Sequence, residues 1–169
     1  NPYYHATLYQ NTFDQLHQEG FEYWNKELAR VKIEASPRDK RIFYTSLYHA
    51  LIVPNIFNDV DGNYRGMDNQ IHNCGKDSHY ALFSLWDTYR AAHPLYTIIE
   101  PERNEAFVRS LIDKWKKLGH LPKWELHSND TYCMIGYHAI PVIADAYMKG
   151  QRNFDVKEAL KAIAFTSED

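Results

Sequence analysis

The stretch PERNEAFVRSLIDKWKKLG, residues 101–119, decides how this chain is read. Pro101 stands where a helix can open, because its missing amide hydrogen is one the first turn leaves unbonded. Phe107, Leu111, Ile112 and Trp115 recur at helical spacing and make one apolar stripe. Lys114, Lys116 and Lys117 are expected on a solvated side, and Gly119 is where the helix stops.

Working outward, the same period returns along the chain. Thr12 is a natural N-cap for a helix to about Arg30, with Phe13, Leu16, Phe21, Trp24 and Leu28 on an apolar side. A second helix is expected after Pro37, near Asp39, ending before Pro54 and aligning Phe43, Leu47 and Leu51. Helical spacing resumes at about His79, through Leu82, Leu85, Trp86 and Tyr89, as far as Pro94. Another helix is expected from about Met134 to Lys149, stopped by Gly150, with Pro141 either kinking it or marking its true start. A last one, opened by Asp155, carries Val156, Leu160 and Ile163. No pair of alternating runs joined by a hairpin turn predicts a sheet, so the expected fold class is mainly α. Loops 54–78 and 119–132 are long, polar and rich in Asp, Asn, His and Tyr, which makes them the places to look for function.

The composition is that of a folded domain. Of the 169 residues, 44% are hydrophobic and 24% charged, and the aromatic share of 15% is high. Most rings are expected between helices; the remainder suit surfaces that grip sugars. A net charge of −3 with no long basic cluster argues against a nucleic-acid partner. Cys74 and Cys133 form neither a disulfide framework nor a CxxC pair and are expected as buried thiols. No run approaches the roughly 18 apolar residues of a membrane helix. The opening NPYYHATLYQN lacks the charged start and apolar middle of a signal peptide.

Several chemistries are absent by motif. HExxH, GxSxG, GxGxxG and the P-loop do not occur. Asp59, Asp61, Asn63, Asp68, Asn69, His72 and Asp77 crowd one loop, yet the spacing from Asp59 puts Gly62 fourth and Gln70 twelfth, which is not an EF-hand. A plain turn is the better reading of DVDGN. What remains is carboxylates beside rings: Asp87 with Trp86 and Arg90 in FSLWDTYR, and Glu125 beside Trp124, then Asp130, in LPKWELHSNDTY. A ring can stack on the C–H face of a pyranose while an acid takes its hydroxyl protons. The alternative for Asp87 and Arg90, three apart on one helical face, is a salt bridge.

The phrases IFYTSLYHALIVPNIFNDVDGNYRGMD, YALFSLWDTYRAAHPLYTIIEPE, LGHLPKWEL and YCMIGYHAIPVIADAYMKG, in that order, resemble the middle of glycoside hydrolase family 92 α-mannosidases. FEYWNKEL resembles the W-N-x-x-L of that family, and the similarity runs from near Phe13 almost to Phe165. The resemblance implies an N-terminal β-sandwich joined to an (α/α)6 barrel, a six-hairpin toroid. It implies a calcium-dependent, exo-acting enzyme that removes terminal mannose from α-mannosides of the N-glycan type, with inversion and by α-1,2 preference. Residues 1–169 are then expected to be a single segment, part of the helical catalytic domain of a larger protein, with an open apolar seam along the cut.

By the same resemblance, Asp87 matches the carboxylate that binds the terminal mannose, with Trp86 and Arg90 shaping the wall. Tyr44, Asp68, Trp124, Glu125 and His138 are expected as lining. The family's acid lies in a later E-G-N-aromatic motif and its base before G-x-M-S-A-W; neither motif occurs here. No catalytic residue is therefore expected in this segment, Glu125 being the one candidate, and no metal ligand. Calcium is expected to be held by chain outside it, and the remaining barrel, the sandwich and a mannose oligosaccharide are the expected partners. Secretion or a periplasmic setting is implied by the resemblance alone. A non-catalytic carbohydrate-binding or scaffold module is the alternative function.

Overall fold

A computed structural model describes residues 12–168. The opening residues on which the signal-peptide reading rests lie outside the described residues. The chain packs as two compact units, one up to Val53 and one from Pro54 onward.

The first unit holds helices α1 (Phe13–Leu28) and α2 (Pro37–Ile52). Thr12 caps α1 through a reciprocal box in which the Gln15 amide donates to Thr12 Oγ1 and Gln15 Oε1 accepts from the Thr12 amide. Ser36 caps α2 and Pro37 opens it, two residues earlier than the sequence suggested. The two helices meet through Trp24 and Tyr48, whose rings lie edge to face at 4.5 Å. The supposed apolar side of α1 is only partly covered: Phe13 is 80% exposed, whereas Glu27 is buried.

The second unit is built round the helix of the opening stretch. Its elements are strands β1 (Asn55–Ile56), β2 (Asn63–Arg65), β3 (Ile71–Asn73) and β4 (Tyr80–Ala81), then helices α3 (Leu85–Thr88), α4 (Ala92–Ile99), α5 (Pro101–Leu118), α6 (Ala139–Met148) and α7 (Val156–Glu168). Helix α5 contacts α4, α6, α7 and β4. Phe107, Val108, Leu111 and Ile112 are buried along it, and the rings of Tyr80, Phe83, His93 and Tyr96 converge edgewise on Phe107. Gly119 ends α5 at φ +91°, a left-handed conformation that costs glycine nothing.

The sheets were not visible in the sequence. β1 pairs antiparallel with β4, and β2 with β3, in ladders of two and three residue pairs. Strands this short carry too little alternation to register as a pattern. Two proline positions also read differently in three dimensions. The helix expected over 79–94 is instead strand β4, an irregular passage, the single turn α3 and then α4, with Pro94 at the third position of α4. Pro141 likewise stands third in α6 and marks its true start rather than a kink. Both prolines occupy first turns, where no amide hydrogen is needed.

Candidate functional site

Asp87 lies on α3, a one-turn helix, and is exposed. Ser84 Oγ donates to Asp87 Oδ2 at 2.6 Å, and the Asp87 amide donates to Ser84 O at 3.1 Å, so one residue aims both ends of the aspartate. The alternative of an Asp87–Arg90 ion pair is not realised among the described residues. The Arg90 guanidinium lies instead over the rings of Trp86 and Tyr89, at 5.5 and 5.2 Å, and donates to Trp86 O. Trp86 stays 38% exposed. His138, the residue before α6, packs its ring 4.4 Å from that of Tyr89, which joins the start of α6 to the same turn. The structure therefore brings Trp86, Asp87, Tyr89, Arg90 and His138 together.

The other expected lining residues have partners of their own. Asp68 sits in the turn between β2 and β3, where it bonds His72 Nε2 at 2.9 Å and accepts from the Gln70 amide. Desolvation pushes its pKa up, but these hydrogen bonds and the His72 charge bring it net below the ordinary value. Gly66 precedes it because a Cβ there would stand 2.7 Å from Asp68 Oδ1, from His72 and from Lys117. Tyr44 belongs to the first unit and donates its hydroxyl to Val31 O at 3.1 Å. Trp124 is half-buried, and its amide donates to Asp130 Oδ1. Asp130 also accepts from the amides of Lys123 and Tyr132, so it folds its own loop.

Glu125 does not line an opening. Its exposure is 0%, Oε2 accepts from the Leu82 amide and Oε1 from the Ser128 amide, both at 2.9 Å. Lys114 Nζ stands 3.4 Å away and is 1% exposed. Both oxygens being occupied and no water reaching them, Glu125 is neither a proton-transfer group nor a sugar ligand in this arrangement. Lys114, expected on a solvated side, is instead buried, with Glu125 and His79 at its ammonium. Burial lowers the pKa of Lys114, and the Glu125 carboxylate opposes the shift.

A polar cluster that sequence reasoning missed continues from this pair. Lys114 Nζ donates to His79 Nε2 at 3.0 Å, leaving His79 Nδ1 to face Asp113 Oδ2 at 3.6 Å. The Tyr64 ring stacks on His79 at 3.8 Å, and its hydroxyl donates to Asp113 and accepts from Lys117. Lys117 also pairs with Asp113. Burial, reinforced by Lys114, Lys117 and His72, lowers the pKa of His79 to about 2, so the ring is neutral. Burial and then the Asp113 charge hold the Tyr64 hydroxyl well above its ordinary value. The one local signal was the i, i+4 spacing of Asp113 and Lys117; Tyr64 is 49 positions from its partner.

The DVDGN segment is a turn, as read. The Gly62 amide donates to Asp59 O, Asp61 Oδ1 accepts from the Asn63 amide, and Gly62 takes φ +83°. Among the described residues no group of three or more His, Cys, Asp or Glu side chains could hold a metal ion. Cys133 is exposed and Cys74 half-buried, against the expectation of two buried thiols. Residues 131–137 all lie exposed and carry Cys133 with them. Among the described residues no helix is long and apolar enough to cross a membrane.

A helical unit that presents an aimed carboxylate among rings and a guanidinium has the make-up of a sugar-binding surface. Residues 4–169 match the family model described as the glycosyl hydrolase family 92 catalytic domain. The chain belongs to that family. It is similar to a family GH92 α-mannosidase from Bacteroides thetaiotaomicron, at 39% identity over 97% of this chain, with a TM-score of 0.93. The structure of that α-mannosidase in complex with mannoimidazole matches at a TM-score of 0.94, and a family GH92 inverting mannosidase from the same organism at 29% identity and 0.90. Each match covers 97% of this chain and 22% of the other, so the chain spans about a fifth of the solved structures it resembles. Comparison with curated proteins yields no match. The fold is mainly helical and corresponds to part of the (α/α)6 barrel of the family.

Proposed function

We propose that the protein to which this segment belongs is an exo-acting α-mannosidase, and that the segment supplies part of the wall holding the terminal mannose. The substrate in this reading is an α-mannoside of the N-glycan type, α-1,2-linked, cleaved with inversion. The observation that carries it is the likeness, over nearly the whole chain, to a family α-mannosidase whose structure is also known with mannoimidazole. The arrangement on α3 supports the role given to the wall. An exposed carboxylate, oriented by Ser84 and set beside Trp86 and Arg90, accepts hydroxyl protons from a ring stacked alongside.

Inverting cleavage needs an acid and a base about 6.5–9.5 Å apart with a water between them. Asp87 is assigned recognition, and the acid and base are assigned to chain beyond this segment. Calcium belongs to the same reading, held by chain beyond this segment; the described residues include no group of three or more His, Cys, Asp or Glu side chains that could hold a metal ion. The remaining barrel and a β-sandwich are the proposed neighbours; Leu160 and Phe165 on α7 and Met148 on α6 are exposed apolar side chains for them to cover. An exported setting goes with this reading.

The test is Asp87→Ala in the complete protein, assayed on an aryl α-mannoside. Loss of a hydrogen bond to a charged group costs up to about 3 kcal/mol, a fall in kcat/KM on the order of 100-fold. Weaker mannoimidazole binding should accompany it. A variant with unchanged kcat/KM would remove Asp87 from the site.

A further inference from the structure

We infer that Glu125 is a positioning residue whose buried carboxylate, paired with Lys114, holds the backbone entering α3 and thereby sets the direction of Asp87. This rests on the mannose-wall reading above and adds to it the part that aims the wall.

Leu82 adopts φ +67°. A branched residue pays a steric penalty in the left-handed region, because its Cβ crowds the backbone, and keeps it only when its surroundings over-determine it. Glu125 is that determinant. Its Oε2 accepts from the Leu82 amide at 2.9 Å, and its carbonyl accepts from the Phe83 amide at 3.2 Å. Two consecutive amides are thus fixed by the side chain and the main chain of one residue. Phe83, next in line, is fully buried.

Ser84 follows directly and makes both bonds to Asp87. The path from Glu125 to the exposed carboxylate is therefore short: Leu82 and Phe83 are held, Ser84 is placed by them, and Ser84 aims Asp87. At the other end Oε1 accepts from the Ser128 amide, so the same carboxylate also closes loop 125–130. Lys114 makes the charge tolerable in a place without water. Both oxygens of the carboxylate thus meet donors. An amide in its place would turn an NH2 toward one of three donors, which is why the near-isosteric Glu125→Gln is informative.

The experiment is a double-mutant cycle in the complete protein, combining Glu125→Gln with Asp87→Ala and reading kcat/KM on an aryl α-mannoside well below the unfolding midpoint of each variant. If Glu125 acts through Asp87, Glu125→Gln lowers kcat/KM about 10-fold in the wild-type background and less than about 2-fold once Asp87 is gone. A general loss of structure would lower both backgrounds alike. Additive losses, or no effect of Glu125→Gln on a protein in which Asp87→Ala is damaging, overturn the inference and leave the mannose-wall reading standing. An inert Asp87→Ala sinks both. Should Glu125→Gln fail to fold, Glu125→Asp enters the same cycle; it keeps the charge facing Lys114 but withdraws the oxygen from Leu82, and the same outcomes decide.

Discussion

At the scale of the residue, the charge on Lys114 is the least expected feature of the chain. Nothing in KWKKLG separates it from Lys116 and Lys117, yet it is enclosed while Lys116 is exposed. Its ammonium meets one anion, Glu125, and one neutral acceptor, His79. Truncation by Lys114→Ala leaves a carboxylate buried with amide donors but no cation. Breaking a buried pair in this way costs about 3–5 kcal/mol. Urea unfolding of the complete protein should show that loss, whereas Lys116→Ala, on the open side of α5, should shift stability by less than about 0.5 kcal/mol. Equal effects of the two would contradict the burial of Lys114. The role proposed for Asp87 rests on features legible in the sequence, its motif and its ring neighbours. That of Glu125 does not, because a carboxylate beside Trp124 looks the same in sequence whether it faces a ligand or the core.

At the scale of the element, caps and stops were the most readable features, because they are local. Thr12, Asp155 and Gly119 each act within four residues of where they stand. Asp155 Oδ1 accepts from the Glu158 amide at 3.0 Å at the start of α7. Asp155→Ala should therefore cost about 1 kcal/mol, and Asp155→Asn much less, in thermal unfolding; similar losses from both would show that the cap does not hold α7. Over 79–94 the local spacing and the structure differ for a definable reason. Leu82, Leu85, Trp86 and Tyr89 keep helical spacing, but Leu82 lies in the left-handed region and Phe83 bridges to Glu125, so the helix begins only at Leu85. A contact 42 positions away along the chain overrode the local period.

At the scale of the whole molecule, the buried imidazoles contribute to the response to acid. His79 titrates at about 2 and His93 at about 4 in the fold, in both cases chiefly through burial, against 6.5 when unfolded. Around His79 the facing groups are Lys114, Lys117, His72 and Asp113. The unfolded chain takes up these protons below about pH 6.5 while the folded chain does not. Their contribution is therefore fully present above that pH and is lost as pH falls, toward 4 for His93 and toward 2 for His79, by up to about 1.4 kcal/mol per unit for each group. Urea midpoints measured between pH 7.5 and pH 5 should fall accordingly, and His79→Gln should flatten the acid limb. A midpoint indifferent to pH over that range would mean that these rings are not held neutral.

Short-range chemistry, readable along the chain, settles the helical class, the positions where helices open and close, the turn at DVDGN, and the family, through phrases in a fixed order. Which polar side chains face solvent and which face one another emerges only in the folded chain. Tyr64 meets Asp113, Glu125 meets Leu82, and Asn104 meets Gln151 across separations of more than forty residues. Helical spacing places a side chain on a face but does not say what lies over that face. Burial, and with it the charge state and the work of Lys114, His79 and Glu125, is set by segments that come together only when the chain is folded.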